Sequence, residues 1–274
     1  MICELLELPL ATRAAYILRD NSVGATTKAA PALYPHQWSW DAAFNAIGLA
    51  VVDLPRARQE LDSLLRGQWR NGMLPHIVFD PHADGYFPGP DRWACAQFSA
   101  DAPGDVLTSG ICQPPVHAIA AARIVEVGAA DDASLSWAAG VYPKLLAWHR
   151  YLACSRADPG SGLITLFHGW ESGMDNSPRW DVPYSNVRPG PDLPAYTRRD
   201  TGHVADAAER PSDAEYDRYL WLIEEGKRAG YDPARLRKRG SFQVGDALFT
   251  AIFAAASDEL AGLAVRLEIG RAHV

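Results

Sequence analysis

Several signals that would assign a protein class are missing from this sequence. It has no long run of lysine or arginine, and its formal net charge is −7 at pH 7, which argues against nucleic acid or an anionic membrane as a partner. Its four cysteines form no C-x-x-C pair and have no zinc-type spacing, which predicts reduced, mostly buried thiols. No apolar stretch appears long enough to span a bilayer, and no basic segment precedes the first apolar residues as in a signal peptide. Together these absences predict a cytoplasmic protein with no metal site and no cofactor.

What the sequence does have is helical periodicity along most of its 274 residues, enough to bury the core of one large domain. Trp40, Phe44, Ile47 and Val51 follow one helical face, for example, and Pro55 comes after it. No series of strands and no fixed-period repeat is visible. The predicted helices cover residues 5–18, 40–54, 55–69, 113–127, 135–152, 212–230 and 244–263.

Two long segments, residues 71–112 and 157–210, interrupt this helical pattern. Both are rich in glycine, proline, aspartate and aromatic residues. Connections of this length inside a compact domain are usually functional or disordered, and their aromatic content argues against disorder. We therefore expect the two segments to lie together at one end of the helices and to carry the site.

The second segment contains the stretch with the most chemistry, residues 169–181, which read GWESGMDNSPRWD. Two indoles and three carboxylates stand among residues that break regular structure, as in a shaped loop. Indole faces can stack on the apolar faces of sugar rings, while carboxylates bind hydroxyl groups or transfer protons. The composition favours a sugar site.

This stretch resembles the acid-bearing loop of glycoside hydrolase family 63 and its relatives, the mannosylglycerate and glucosylglycerate hydrolases, and more distantly that of trehalases. Residues 34–44, YPHQWSWDAAF, are similar to the first substrate-binding motif of the same family. The resemblance implies an all-α fold, the (α/α)6 six-hairpin toroid, incomplete at the C-terminus. Periodicity alone indicates only a mostly helical chain.

The resemblance also implies a catalytic residue, because Asp175 matches the family's general acid. Gly173 would let the backbone approach closely, and Trp170 and Met174 would lower the local polarity and raise the pKa of the acid. Glu171 and Asp181 are expected to orient Arg179 and the loop backbone rather than to react.

The other site residues are expected to bind substrate. Trp38 and Trp40 are candidates for stacking, Asp41 for accepting hydroxyl hydrogen bonds, and Arg210 with Tyr216 for binding a glycerate carboxylate. His76 could instead hydrogen-bond a turn, and Gln113 could instead cap a helix. The full set of predicted substrate-binding residues is Tyr34, Trp38, Trp40, Asp41, His76, Tyr86, Gln113, Trp170, Gly173, Arg210 and Tyr216.

The general base has no counterpart in the sequence. Relatives supply a glutamate near their C-terminal end, and neither Glu259 nor Glu268 has a matching context. Residues 269–274, IGRAHV, back-translate to ATC GGA AGA GCA CAC GTC, a common sequencing-adapter sequence. We therefore expect residues 1–268 to be the N-terminal part of one catalytic domain that lacks its base, and residues 269–274 to be an artefact.

The preferred hypothesis is an inverting α-glycosidase that acts on a small glycoside such as glucosylglycerate or mannosylglycerate. A trehalase-like α-glucosidase and a non-catalytic carbohydrate-binding toroid are the alternatives, together with a sugar epimerase. An epimerase would use paired histidines, for which His76, His82, His168 and His203 are available. The sequence gives no prediction of oligomeric state.

Overall fold

Most of the chain is helical, as the periodicity predicts. The computed structural model describes residues 9–30, 33–129, 131–203 and 210–269. The longer helices are Leu10–Asp20, Ser39–Val52, Leu54–Leu65, His117–Val127, Asp132–Tyr151, Asp213–Arg228 and Ala247–Arg266. The shorter ones are Pro90–Trp93, Cys95–Phe98, Asp181–Ser185 and Pro233–Arg239, with a π-helix at Leu152–Arg156 and 3₁₀ turns at Gly169–Ser172, Pro178–Trp180 and Asp200–His203.

The helix His117–Val127 lies at the centre of the helical packing. It contacts Ser39–Val52 on one side and Ala247–Arg266 on another, and it also meets Leu54–Leu65 and Asp132–Tyr151. Its buried side chains include four alanines, which let neighbouring helix backbones approach closely. The core therefore forms around this helix, and the two long connecting segments are left to shape the site.

Several helix starts follow the local signals in the sequence. Ser212 and Glu215 form the predicted capping box of the helix Asp213–Arg228. Pro55 occupies the first turn of its helix, as predicted, and the Asp53 side chain accepts a hydrogen bond from the amide of Arg56. These starts are fixed by side chains a few residues away, which explains why the sequence could locate them.

The helix predicted over residues 55–69 is wrong at its C-terminal end, because it stops at Leu65. Trp69 lies in the following turn, where its indole Nε1 donates a hydrogen bond to Thr108 Oγ1 at 2.9 Å and its amide donates to Met73 O at 2.9 Å. These partners lie outside the helix, and the buried Trp69 ring packs in the core just as well from a turn.

Two other predicted boundaries are also wrong. The helix expected from Gln113 begins at His117, because a residue that precedes proline is pushed out of the α region and Pro114 and Pro115 follow each other. The helix expected from residue 244 begins at Ala247, and Val244–Asp246 forms a strand instead. The short helix Pro233–Arg239 was not predicted.

The described part of the chain contains three short antiparallel strand pairs, two of which connect a long segment to another part of the chain. Ser22–Val23 pairs with Thr26–Thr27 as a hairpin. Gln37–Trp38 pairs with Ile77–Val78, and Ile164–Leu166 pairs with Val244–Asp246. These strands are too short to give an alternating sequence pattern, so the sequence did not indicate them.

One described helix, Ala247–Arg266, is long and apolar enough to cross a membrane by length and composition. The prediction that no apolar stretch is long enough to span a bilayer is therefore wrong. Phe249, Ala256, Leu260 and Leu263 on this helix are buried in the core.

Candidate active site

The two long segments meet around a cavity of about 180 Å³. Its lining combines aromatic rings with charged and polar groups. Most of the residues predicted from the sequence lie in its wall, namely Tyr34, Trp38, His76, Tyr86, Trp170, Asp175, Arg210 and Tyr216. The other predicted residues, Trp40, Asp41, Gln113 and Gly173, are not part of that lining.

Tyr34, Trp38, His76, Tyr86 and Trp170 form what we call the aromatic wall. Trp38 is its centre, with ring centroids 4.9 Å from Tyr34 and 5.2 Å from Tyr86, both in edge-to-face geometry. Such pairs hold one another in place beyond their area of burial. The wall is therefore an apolar surface of fixed shape.

A buried polar network holds the strand that carries Trp38. Gln37 Nε2 donates to the carboxylate of Glu60 at 2.7 Å, and Ser63 Oγ donates to Gln37 Oε1 at 2.7 Å. Arg56 forms an ion pair with the same carboxylate at 2.7 Å. Both polar ends of the Gln37 side chain are thus engaged, which fixes the neighbouring Trp38.

His76 belongs to the aromatic wall and is 4 % exposed. Its Nδ1 lies 3.1 Å from Ser109 Oγ, and its ring stacks on Trp170 with centroids 6.4 Å apart. Burial, with a smaller contribution from the nearby His168, lowers the pKa of His76 to about 3. The imidazole is therefore neutral and can offer a substrate only neutral hydrogen bonds.

His168 is fully engaged with the backbone. Its Nδ1 accepts from the amide of Trp170 and its Nε2 lies 3.1 Å from the carbonyl oxygen of Tyr219, which requires the proton on Nε2. Burial lowers the pKa of His168 to about 4. His82 is exposed, and the side chain of His203 lies outside the described residues. His168 therefore cannot serve as one of the two histidines that an epimerase needs.

The loop that carries Asp175 makes a left-handed turn at Gly173, where φ is 68°. A Cβ atom at this position would lie 2.4 Å from Cζ2 of Trp40. The Trp40 ring therefore packs directly on the loop backbone. Trp40 and Gly173 thus contact each other and set the conformation of the loop, and neither lines the cavity.

Asp175 is solvent-accessible and lines both this cavity and a second one that Ser177, Tyr184 and Glu215 help to line. The protein around its carboxyl group excludes part of the bulk water, and this desolvation raises the pKa of Asp175 to about 7. Arg210 opposes this rise in the pKa, and Asp41 adds to it. A carboxyl group with this pKa carries a proton in a large share of molecules at neutral pH.

Gln113 acts as a helix cap, though for a different helix from the one expected. Its Oε1 accepts a hydrogen bond at 3.2 Å from the amide of Trp40, in the first turn of Ser39–Val52. Asp41 follows in the same turn and is half-buried, and burial raises its pKa. Both residues thus lie at the helix start that faces the Asp175 loop.

Charged and polar groups also line the cavity, and we call the set Asp175, Asn176, Arg199, Asp200 and Arg210 the charged wall. Arg210 Nε donates to Asp200 Oδ2 at 3.0 Å, and Arg198 binds the same oxygen at 2.7 Å. One carboxylate is thus shared between two guanidinium groups, and Arg198 also binds Asp213 at 2.9 Å.

Tyr216 connects the two walls. Its hydroxyl donates to the carbonyl of Phe87 at 3.1 Å, and the guanidinium of Arg198 lies 4.6 Å from its ring centroid. Tyr216 and Arg210 therefore lie in one region of the cavity, as the sequence predicted.

The predicted pairing of Glu171 with Arg179 is wrong. Glu171 is buried and forms an ion pair with Arg156 at 2.5 Å. Arg179 binds Asp246 instead, at 2.9 Å. The expectation that Glu171 holds the loop backbone is right, because its carboxylate accepts from the amide of Phe167 at 2.7 Å.

Sequence reasoning missed some cavity residues. Asn176 and Tyr219 both line the cavity. Tyr219 could have been found, because it lies three residues after Tyr216 on the same helical face. Within the described ranges, no group of three or more His, Cys, Asp or Glu side chains is placed to hold a metal ion.

Comparison with known proteins gives consistent matches. Residues 34–271 match the family described as the mannosylglycerate hydrolase MGH1-like glycoside hydrolase domain. Glucosylglycerate hydrolase of Mycolicibacterium hassiacum is 57 % identical over 257 residues, which cover 92 % of this chain and 57 % of the relative. Mannosylglycerate hydrolase of Thermus thermophilus is 46 % identical over 257 residues, covering 93 % of this chain and 60 % of the relative.

A solved structure agrees with these sequence matches. A family 63 mannosylglycerate hydrolase from Thermus thermophilus, in complex with Tris and D-glycerate, superimposes with a TM-score of 0.86 at 46 % identity. The match covers 95 % of this chain and 60 % of that one. The chain thus spans 57 % of the length of the first relative and 60 % of the length of the second. It belongs to the family of mannosylglycerate hydrolase MGH1-like glycoside hydrolases.

Proposed function

We propose that this chain carries the general-acid part of an inverting α-glycosidase that hydrolyses glucosylglycerate or mannosylglycerate. The observation that carries the proposal is Asp175, a carboxyl group with a pKa raised to about 7 that faces an aromatic-lined cavity. Glycoside hydrolysis needs a carboxylic acid that is still protonated near neutral pH, so that it can protonate the departing oxygen. Asp175 meets that requirement.

The aromatic wall is suited to bind the sugar. Trp38 and Trp170 offer flat apolar faces, and Tyr34 and Tyr86 add hydroxyl groups that can donate to or accept from a sugar hydroxyl. Since the rings support one another, they can present this surface before substrate arrives. Asp41, at the helix start behind the Asp175 loop, is the proposed acceptor for a further hydroxyl.

The charged wall is suited to bind the carboxylate of glycerate. Arg210 lies in the cavity lining with Tyr34 and Tyr216, and a guanidinium group with neighbouring hydroxyls forms strong charge-assisted bonds to a carboxylate. Trehalose carries no charge and would leave this cation unused. The arrangement therefore supports a glycerate-bearing substrate over trehalose.

An inverting reaction also needs a carboxylate that activates water, roughly 6.5–9.5 Å from the acid. Asp200 in the charged wall is already bound by two arginines, so it is a poor base. We propose that the base lies outside residues 1–274, in the part of the relatives' length that this chain does not match, and that the helices described here belong to a six-hairpin toroid.

The choice between glucose and mannose rests on similarity. The chain is 57 % identical to a glucosylglycerate hydrolase and 46 % identical to a mannosylglycerate hydrolase, which favours glucosylglycerate. Glucose and mannose differ only in the orientation of the 2-hydroxyl group, so the distinction depends on a few contacts.

The test is hydrolysis by the protein as its gene encodes it, with glucosylglycerate, mannosylglycerate and trehalose as substrates. Proton NMR during the first minutes would identify the anomer released, and inversion of an α-linkage predicts the β-sugar first. We expect the highest kcat/KM for glucosylglycerate and the lowest for trehalose. If no sugar is released from any of the three, the proposal fails, and early release of the α-anomer would contradict the inverting mechanism.

A further inference from the structure

Glu171 is a second acid close to Asp175, yet it lies where no substrate can reach it. Its residue exposure is 0 %. Its carboxylate accepts from Arg156 Nη2 at 2.5 Å, from the amide of Phe167 at 2.7 Å and from the amide of Cys112 at 3.2 Å. The Cys112 thiol also donates to it at 3.3 Å. Four donors from three residues therefore converge on one buried anion, which is more than an ion pair alone requires.

The first of these donors, Arg156, is itself held rigidly. It ends the π-helix Leu152–Arg156, a rare conformation that often occurs at functional sites. Its Nε donates to the carbonyl of Thr165 at 3.0 Å, and its guanidinium lies 4.6 Å from the ring centroid of Phe167. Glu171 is thus attached to a fixed point of the core.

The amide of Cys112 belongs to a segment, residues 109–113, that reaches the rest of the site. Ser109 Oγ lies 3.1 Å from the His76 ring and accepts from the amide of Ile77. At the other end of this segment, Gln113 caps the helix start at Trp40. Glu171 therefore links the loop that carries Asp175 to the residues that place His76 and Trp40.

We propose that Glu171 is a positioning residue, whose carboxylate fixes the Asp175 loop at one distance from residues 109–113 and so from the aromatic wall. Glu171 sits in the 3₁₀ turn Gly169–Ser172, a short way before Asp175, so a shift of Glu171 is passed directly to the acid. This inference deepens the proposed function and depends on it for the kinetic readout.

The substitution Glu171→Gln keeps the shape of the side chain but changes its hydrogen bonding. An amide offers one accepting oxygen where the carboxylate offers two, and its NH₂ group would face donors that it cannot bind. It also leaves Arg156 as a buried cation without its anion. We expect the loop to move, and a displacement of about 1 Å in a catalytic group can lower the rate about 10²-fold.

The experiment measures kcat, KM and their pH dependence for Glu171→Gln in the protein as its gene encodes it, with glucosylglycerate as substrate. We expect kcat to fall about 10²-fold, with a much smaller change in KM, because the aromatic and charged walls remain. The basic limb of the pH profile should move to lower pH, since a loosened loop removes part of the protein that desolvates the Asp175 carboxyl group and so lowers its pKa.

A second variant and a control separate positioning from simple stability. Glu171→Gln combined with Arg156→Met removes the unpaired cation, so thermal stability should partly recover while kcat stays low. Glu224→Gln breaks a different partly buried pair, the one with Arg92 at 3.2 Å, outside the cavity lining. It should lower the melting temperature and leave the pH profile of kcat unchanged.

The inference can also be tested without catalysis. The ¹³C NMR titration of the Asp175 carboxyl group should give a pKa of about 7 in the unmodified protein and a lower pKa in Glu171→Gln. An unchanged titration, or a double variant whose kcat recovers together with its stability, would overturn the positioning role. A lack of hydrolysis by the unmodified protein would instead overturn the proposed function, while the titration would still decide on Glu171.

Discussion

The two sides of the cavity are built on different principles. In the aromatic wall, Trp38 and His76 are almost fully buried, and the rings hold one another by packing. In the charged wall, Arg210 and Asp200 remain partly exposed and are held by ion pairs. Under the proposed function, this contrast would be a division of roles, in which the first wall gives a fixed surface for the sugar and the second supplies charge and protons. It also means that changes in the charged wall should alter chemistry with little cost in folding.

The strongest test of this division is Asp175→Asn. The amide cannot donate a proton to the departing oxygen, so kcat should fall by about 10²- to 10⁴-fold, the usual contribution of general acid catalysis. The thermal melting temperature and KM should change little. Steady-state kinetics and a melting curve on the same preparation would check both, and a kcat within a few-fold of the unmodified protein would remove Asp175 from its role.

Arg210→Met should have the next largest effect, mainly on KM. Loss of a charge-assisted hydrogen bond costs about 1.5–3 kcal/mol, which corresponds to roughly 10- to 150-fold in KM for a glycerate-bearing substrate. A glucoside with a neutral aglycone should be affected far less. The exposed Arg228, paired with Asp192 outside the cavity lining, provides the matched control as Arg228→Met.

Arg210→Met should also shift the pH dependence of activity in one direction. Hydrolysis needs Asp175 protonated, so activity should decline as the pH rises through its pKa of about 7. Arg210 lowers that pKa, and its removal should therefore move the basic limb of kcat/KM to higher pH. A limb that moves to lower pH would contradict the assignment of the limb to Asp175.

Trp38→Phe tests the aromatic wall and should have a smaller effect on activity. The shorter ring loses part of the stacking surface and its edge-to-face contacts, worth about 0.5–1.5 kcal/mol, or roughly a 2- to 12-fold rise in KM. Because Trp38 is 6 % exposed, this variant should also melt at a lower temperature, unlike Asp175→Asn. Equal melting temperatures for the two variants would argue against the distinction between the walls.

Tyr216→Phe should have the smallest effect, since it removes only the hydroxyl that donates to the carbonyl of Phe87 at 3.1 Å. The loss of one neutral hydrogen bond amounts to about 0.5–1.5 kcal/mol. We expect this to appear as a few degrees in the melting temperature and at most a several-fold rise in KM. A much larger rise in KM would mean that the hydroxyl binds substrate directly.

The features that the sequence predicted well depend on neighbours in the chain. Helical faces such as Trp40 to Val51, and the capping box at Ser212, follow from periodicity and from side chains a few residues apart. The helix starts at residues 113 and 244 failed because a proline pair and a strand partner outweighed the apolar pattern. The grouping of Tyr34, His76, Asp175 and Arg210 around one cavity came from the family resemblance, since no spacing in the chain indicates it.

The partners of the buried charges could not have been predicted. Arg156 reaches Glu171 from a π-helix, which has no signature in the apolar pattern, and Asp246 reaches Arg179 from the end of the strand Val244–Asp246. Choosing between such partners requires the distances between side chains. Likewise, nothing in the sequence indicates that Trp40 packs on Gly173 from behind the loop, because both residues are equally suited to face a ligand.

The capping box at Ser212 has a consequence for how this site can vary in evolution. Arg210 is separated from the capped helix start by Pro211 alone, so its backbone position is set by the helix that follows. A deletion between Arg210 and the helix would then displace the guanidinium from the cavity lining. Homologues that use this arginine should therefore keep its spacing from the capping serine.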